Sequence, residues 1–238
     1  MRQPLSRLFA NLDRWRHFPD YQLERRADAL FSVYLPGAIE RLTGHAIAEP
    51  VIPELPLRKG TLWGEDRPDR NLSVKVDYAL FAADRSRVFL VELKTDDGSR
   101  NDAQDEYLRR AAEVGFGAIA EGVKRIAQAT SAHRKYHHLL AALSRHGVMK
   151  LPPKLAEHTF PTQRRGLSRQ LEAIEVLVLP GEWSVEVLYV QPTLPAGCRG
   201  LDFHAFADHV AAHDDPLSAL FAEHLRRWSV RAADAPPP

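Results

Sequence analysis

Two neighbouring stretches carry the strongest strand pattern in the chain. From Leu72 to Phe81, Val74 and Val76 alternate with Lys75 and Asp77 before the run becomes wholly apolar at Tyr78, Ala79, Leu80 and Phe81. From Arg87 to Thr95, the residues Val88, Phe89, Leu90 and Val91 are uninterrupted, and charge appears only at Glu92 and Lys94. A strand apolar on both faces belongs in the middle of a sheet. The polar Ala83–Ser86 link between the two stretches is short enough to predict a hairpin.

Helical spacing dominates on either side of this pair. Leu23, Ala27, Leu30, Phe31 and Tyr34 predict a helix over Tyr21–Leu35 with Asp20 as N-cap, interrupted at Pro36-Gly37 and followed by a short turn through Glu40 to Gly44. Ala46–Leu57 is strand-like, but Pro50, Pro53 and Pro56 demote it to an edge or an irregular strand, and Lys59–Asn71 reads as a loop. Asn101 or Asp102 caps a long helical region running to about His146, with breaks near Gly115–Gly117 and near Ser131. Gly147–Gln170 reads as loop, and Leu171–Leu179 with Trp183–Val190 as a second hairpin across Pro180-Gly181. Two amphipathic helices, about Asp202–His213 and Pro216–Trp228, close the chain before a frayed tail at Arg231–Pro238. The expected organisation is one domain over 1–238: a core at about 20–192, C-terminal helices at about 201–229 and a disordered tail at 231–238.

Composition narrows the class. The chain has 238 residues, 45% hydrophobic, and 32 Lys and Arg against 31 Asp and Glu, so neither disorder nor a uniformly basic nucleic-acid coat fits. The single cysteine, Cys198, cannot form an internal disulfide and suits a reducing compartment. No apolar run approaches the roughly 20 residues of a membrane span, and Met1–Asp20 lacks the apolar stretch of a secretory signal. The expectation is a soluble cytoplasmic protein.

The candidate chemistry lies where the two central strands turn charged. Glu92 and Lys94 are two residues apart, so they share a face. A two-residue turn at Asp84-Arg85, or a four-residue one with the same centre, sets Asp77 directly opposite Glu92, whereas a three-residue turn sends one carboxylate to the other face. Opposed carboxylates repel unless a cation or a shared proton relieves them. Oxygen donors at a strand end suit Mg2+ or Mn2+, which can activate water and clamp a phosphate oxygen.

Val76-Asp77 and Glu92-Leu93-Lys94, with fourteen residues between the two acids, resemble the motif of the PD-(D/E)xK nuclease superfamily. The resemblance implies a restriction-endonuclease-like α/β fold: an αβββαβ core with a mixed central sheet flanked by helices, extended here by C-terminal helices. It implies that Asp77 and Glu92 bind a divalent metal and that Lys94 positions or activates the attacking water. The stretch Lys94–Ser99, followed by Gln104 and Tyr107, is similar to members in which a Gln on the next helix lines the site. Val76 stands where the motif's name has Pro; a literal Pro68-Asp69 occurs earlier but in a polar loop. The first-helix acid of the family is matched by Glu24, with Glu40 as the competing position. The function implied is Mg2+-dependent hydrolysis of phosphodiester bonds, with DNA as the expected substrate.

Charge outside the motif points the same way. Between His133 and Gln170 there are eight Lys or Arg, among them Arg134, Lys135, Arg164, Arg165 and Arg169, against Glu157 alone. Such a segment is expected to contact phosphates. His133 and His137 have zinc-compatible spacing but no accompanying acid motif, so they read as structural, and Trp63, Trp183 and Trp228 read as packing residues. Two rival readings stand beside the nuclease: a non-catalytic member of the fold that binds nucleic acid or a protein partner, and an unrelated α/β protein in which these charges are a structural cluster.

Overall fold

The structure is a computed structural model that describes residues 2–96, 101–157, 164–179 and 181–229. The first part of the chain forms α1 (Arg2–Trp15), α2 (Leu23–Thr43), β1 (Ile47–Arg58), α3 (Lys59–Trp63), β2 (Ser73–Ala82) and β3 (Arg87–Leu93). The middle forms α4 (Asp102–Ala129), α5 (His133–Arg145), β4 (Met149–Lys150), α6 (Pro153–Ala156), α7 (Arg164–Glu172) and β5 (Glu175–Val176). β6 (Ser184–Gln191), β7 (Gly200–Asp202), α8 (Phe203–Ala211) and α9 (Pro216–Trp228) complete it. A mixed five-stranded sheet in the order β1-β2-β3-β6-β7, flanked by helices, makes the fold α/β. β4 and β5 form a separate antiparallel pair. The expected tail at 231–238 lies outside the described residues.

The chain divides into two compact units. The first comprises 1–47, 91–101 and 188–238. Its core is aromatic: Phe31 packs against Phe203, Phe206 and Phe221 at ring separations of 5.3–5.6 Å. α1 joins this core through buried Phe9 and Leu12, and Asp13 accepts hydrogen bonds from the Trp228 indole at 2.7 Å and the His224 ring at 2.9 Å. α1 was not among the expected helices, although Leu5, Leu8, Phe9 and Leu12 carry the spacing of one amphipathic face. Asp20 is not the cap of α2; the helix starts after Gln22 without a side-chain cap, and Asp20 has a φ of 59°. Nor does Pro36-Gly37 interrupt α2, which runs through to Thr43 and ends as expected at left-handed Gly44. The His209 ring lies against Gly37, where a Cβ would come within 3.1 Å. Both expected C-terminal helices form, and each starts at an acidic cap: Asp202 accepts from the Ala205 N–H, and Asp215 from those of Leu217 and Ser218. The short β7 pairs in parallel with β6, Val190 opposite Leu201. Gly200 is required there, since a Cβ would fall 1.9 Å from the Tyr189 carbonyl oxygen.

The second unit comprises 48–90 and 102–187. Its centre is Phe81, with the His146 ring stacked on it at 4.1 Å and Phe116 and Trp183 meeting it edge-on. β1 is an edge strand, as its prolines require. The link from β2 to β3 is the four residues Ala83–Ser86, closed by the Arg85 N–H on the Ala82 carbonyl and by Asp84 accepting from the Ser86 N–H and hydroxyl. The long helical region breaks where expected: Gly115 has φ 78° and ψ 162° inside α4, and α5 starts afresh at His133.

Three expectations fail in this unit. Lys59–Asn71 contains the helical turn α3, and Gly147–Gln170 contains β4, α6 and most of α7. Among the described residues, which leave out Pro180 of the expected turn, the second hairpin is not formed: Leu171 lies in helix α7, and β5 pairs with β4, Val176 opposite Met149. Leu171 and Ile174 are buried, so the apolar pattern was that of a helix end and a turn instead of a strand.

Candidate functional site

Within the first unit, Glu92 is the penultimate residue of β3 and Lys94 follows the strand directly. The Lys94 N–H donates to the Val190 carbonyl at 2.9 Å, so pairing with β6 continues past the end of β3 and keeps Lys94 in extended alternation with Glu92. The two side chains meet: Nζ donates to Oε1 of Glu92 over 2.6 Å, with Lys94 5% and Glu92 2% exposed. Thr95, next in the chain, is also buried. Removing two opposite charges from water costs several kcal/mol per ion, which mutual attraction only partly offsets. A pair this deep is therefore a costly way to end a strand, and sites that move protons or charge are where such costs are met.

Glu24 lies half-buried in the first turn of α2, in the same unit. Its competitor Glu40 has a structural task, accepting the Ile47 N–H at 2.8 Å where the chain leaves α2 for β1. Asp97, Gly98 and Ser99 of the expected site stretch lie outside the described residues.

Within the second unit, Asp77 is half-buried on β2, between the buried Val76 and Tyr78. Tyr107 of α4 donates its hydroxyl to the Lys75 carbonyl at 2.9 Å, which ties the start of α4 to the same strand. Gln104 sits one turn earlier on α4 and is half-buried. The literal Pro68-Asp69 is a surface ion cluster: hydrogen bonds from Arg67 and Lys59 hold the Asp69 carboxyl down to about 2. Burial raises the Tyr136 phenol, against the opposing influence of the Lys75 ammonium and a hydrogen bond with Ser73.

Arg134 and Lys135 lie on a helix, as expected, whereas Arg164, Arg165 and Arg169 lie on a second helix in place of the expected loop. Arg134 and Lys135 are exposed in the first turn of α5, and Arg169 is exposed on α7. Arg164 and Arg165 open α7, with side chains outside the described residues. His133 and His137 each engage a backbone carbonyl, of Ala127 at 3.1 Å and of Leu155 at 2.6 Å. Trp183 and Trp228 are buried in the cores, while Trp63 is half-buried beneath the Arg67 guanidinium at 5.6 Å.

Among the described residues, no group of three or more His, Cys, Asp or Glu side chains converges to hold a metal, and no helix is long and apolar enough to cross a membrane. No protein-family model, no curated protein and no solved structure matches the chain.

Proposed function

We propose that the chain is a Mg2+-dependent nuclease of the restriction-endonuclease-like fold that hydrolyses phosphodiester bonds, with DNA as substrate. The observation that carries this reading is the buried contact between Lys94 and Glu92 at the end of a central strand. The order α2, β1, β2, β3, α4 and later β6 supports it, since it follows the αβββαβ sequence of elements that the motif implies.

Asp77 and Glu92 are carboxylates, the hard oxygen donors that Mg2+ takes. That ion is commonly held by one or two carboxylates, with waters and substrate phosphate oxygens filling the remaining positions. A group of three protein ligands is therefore not a requirement of the reading. In the roles carried over from the motif, Asp77 and Glu92 would hold the cation, which would supply charge stabilisation at the phosphate and lower the cost of deprotonating water. Lys94 orients the attacking water and keeps a positive charge beside it. Glu24 and Gln104 complete the surroundings, and Arg134, Lys135, Arg164, Arg165 and Arg169 meet backbone phosphates.

The closed Glu92–Lys94 pair also fits a non-catalytic chain that binds nucleic acid or a protein partner, because each charge already answers the other. The deciding experiment incubates the purified protein with single-stranded, double-stranded and branched DNA and with RNA, in Mg2+, Mn2+ or EDTA. Cleavage that requires metal and falls at least ~100-fold in Lys94→Ala supports the nuclease. Binding without cleavage selects the non-catalytic reading, and cleavage by Lys94→Ala at the parent's rate removes the assignment of these residues.

A further inference from the structure

The strand that bears Asp77 presents a second charge on the same face. Alternation along β2 groups Ser73, Lys75 and Asp77 on one side, where Lys75 is exposed, and sets the buried Val76 and Tyr78 on the other. Successive positions on one face are roughly 7 Å apart, comparable to the spacing of neighbouring phosphates along a nucleic-acid strand. Two tyrosines frame this end of the strand: Tyr107 on the Lys75 carbonyl at 2.9 Å, and Tyr136 on the Ser73 side chain.

The Lys75 ammonium is held by the Glu54 carboxylate at 2.8 Å, with the two side chains 59% and 61% exposed. Glu54 reaches it from an unusual backbone. It has a φ of 53° within the edge strand β1, and Pro53 and Glu54 are exposed in succession where a regular strand would alternate. Left-handed backbone at a non-glycine residue is a cost, and an ion pair this exposed returns little stability. Irregular edge-strand geometry of this kind re-aims a side chain, and here it aims a carboxylate at Lys75.

We infer that Lys75 is a phosphate contact beside Asp77, and that Glu54 holds the ammonium in place until a phosphate of the nucleic-acid backbone displaces the carboxylate. The inference rests on the nuclease reading and adds to it a substrate-binding residue with an internal competitor. Lys75 precedes Asp77 by two residues, so its position is legible in the sequence; the carboxylate facing it is not.

The test measures binding of a short fluorescein-labelled DNA duplex by anisotropy across a salt series in EDTA, for the parent and for Lys75→Gln, Glu54→Gln and the double variant. Glu49→Gln, an exposed acid on the same strand, controls for net charge. Lys75→Gln should bind roughly two- to fivefold more weakly, with a salt slope lower by about 0.9. Glu54→Gln should bind more tightly than Glu49→Gln, and that gain should vanish when Lys75 is also replaced. A parent that binds DNA while Lys75→Gln keeps its full affinity and slope overturns the inference. So does a Glu54→Gln gain that persists without Lys75. Cleavage is read separately with Mg2+: binding that follows this pattern without cleavage removes the nuclease reading but leaves Lys75 as a phosphate contact. A parent that binds no DNA in EDTA overturns the inference on Lys75, while the nuclease reading stands or falls with cleavage in Mg2+.

Discussion

Lys94 donates to Glu92 across 2.6 Å in surroundings that leave the two side chains 5% and 2% exposed. Buried pairs of this kind contribute little net stability, yet breaking one strands a charge. Lys94→Met alone should therefore lower unfolding stability by about 3–5 kcal/mol. Combining it with Glu92→Gln should recover most of that loss, as read by urea unfolding of all three variants and the parent. If the double variant is as unstable as Lys94→Met, the pair is a net stabiliser and its burial no longer points to chemistry.

Asp77→Asn replaces a hard anionic donor with a neutral amide, a poorer ligand for Mg2+. Metal titrations of cleavage should shift to higher concentration and recover part of the lost rate with Mn2+. Lys94→Ala should instead lose rate at every metal concentration. Superimposable titration curves for the two variants would contradict their separate roles.

The basic segment should govern the salt response. Replacing Arg164 and Arg165 with Ala should reduce the slope of log affinity against log salt by about 0.9 for each lost phosphate contact on duplex DNA. An unchanged slope in anisotropy titrations would locate the phosphate contacts elsewhere, with Arg134, Lys135 and Arg169 the next to replace.

Acid should weaken the second unit through His146. Burial holds its pKa below 6.5, although the hydrogen bond to the Pro50 carbonyl works the other way. The folded pKa lies below the unfolded one, so the unfolded chain binds more protons between the two. Stability is then complete above about pH 6.5 and is lost as pH falls towards the folded pKa. Melting temperatures measured through that interval should fall less steeply in His146→Gln than in the parent. Parallel curves would show that other groups set the acid response.

Legibility followed the range of the interactions. The β2–β3 hairpin was readable because its apolar run, polar turn and charged end are contiguous, while the length of its turn, left open between two, three and four residues, is four. The caps at Asp202 and Asp215 were readable because a cap acts on backbone N–H groups two or three residues ahead. Within the candidate site, the shared face of Glu92 and Lys94 was a matter of strand alternation, but their burial was not, since it depends on everything packed around the strand end.

By itself, then, the sequence determined β2, β3, the helix breaks at Gly44, Gly115 and near Ser131, and the motif positions, because each is set by neighbours in the chain. Tertiary structure decided the rest. α1 exists as a packed helix because Phe9 and Asp13 meet Phe221, His224 and Trp228 from the far end of the chain. α2 continues through Pro36 and Gly37 with the His209 ring of α8 lying against Gly37, a partner far away in the chain. Leu171 belongs to a helix and Val176 pairs with Met149, because burial and a distant partner overrode a locally strand-like pattern. The carboxylate that holds Lys75 arrives on β1 by a backbone conformation that no run of letters around Glu54 announces. In each case the deciding energy is a contact between residues far apart in sequence, which local propensity does not encode.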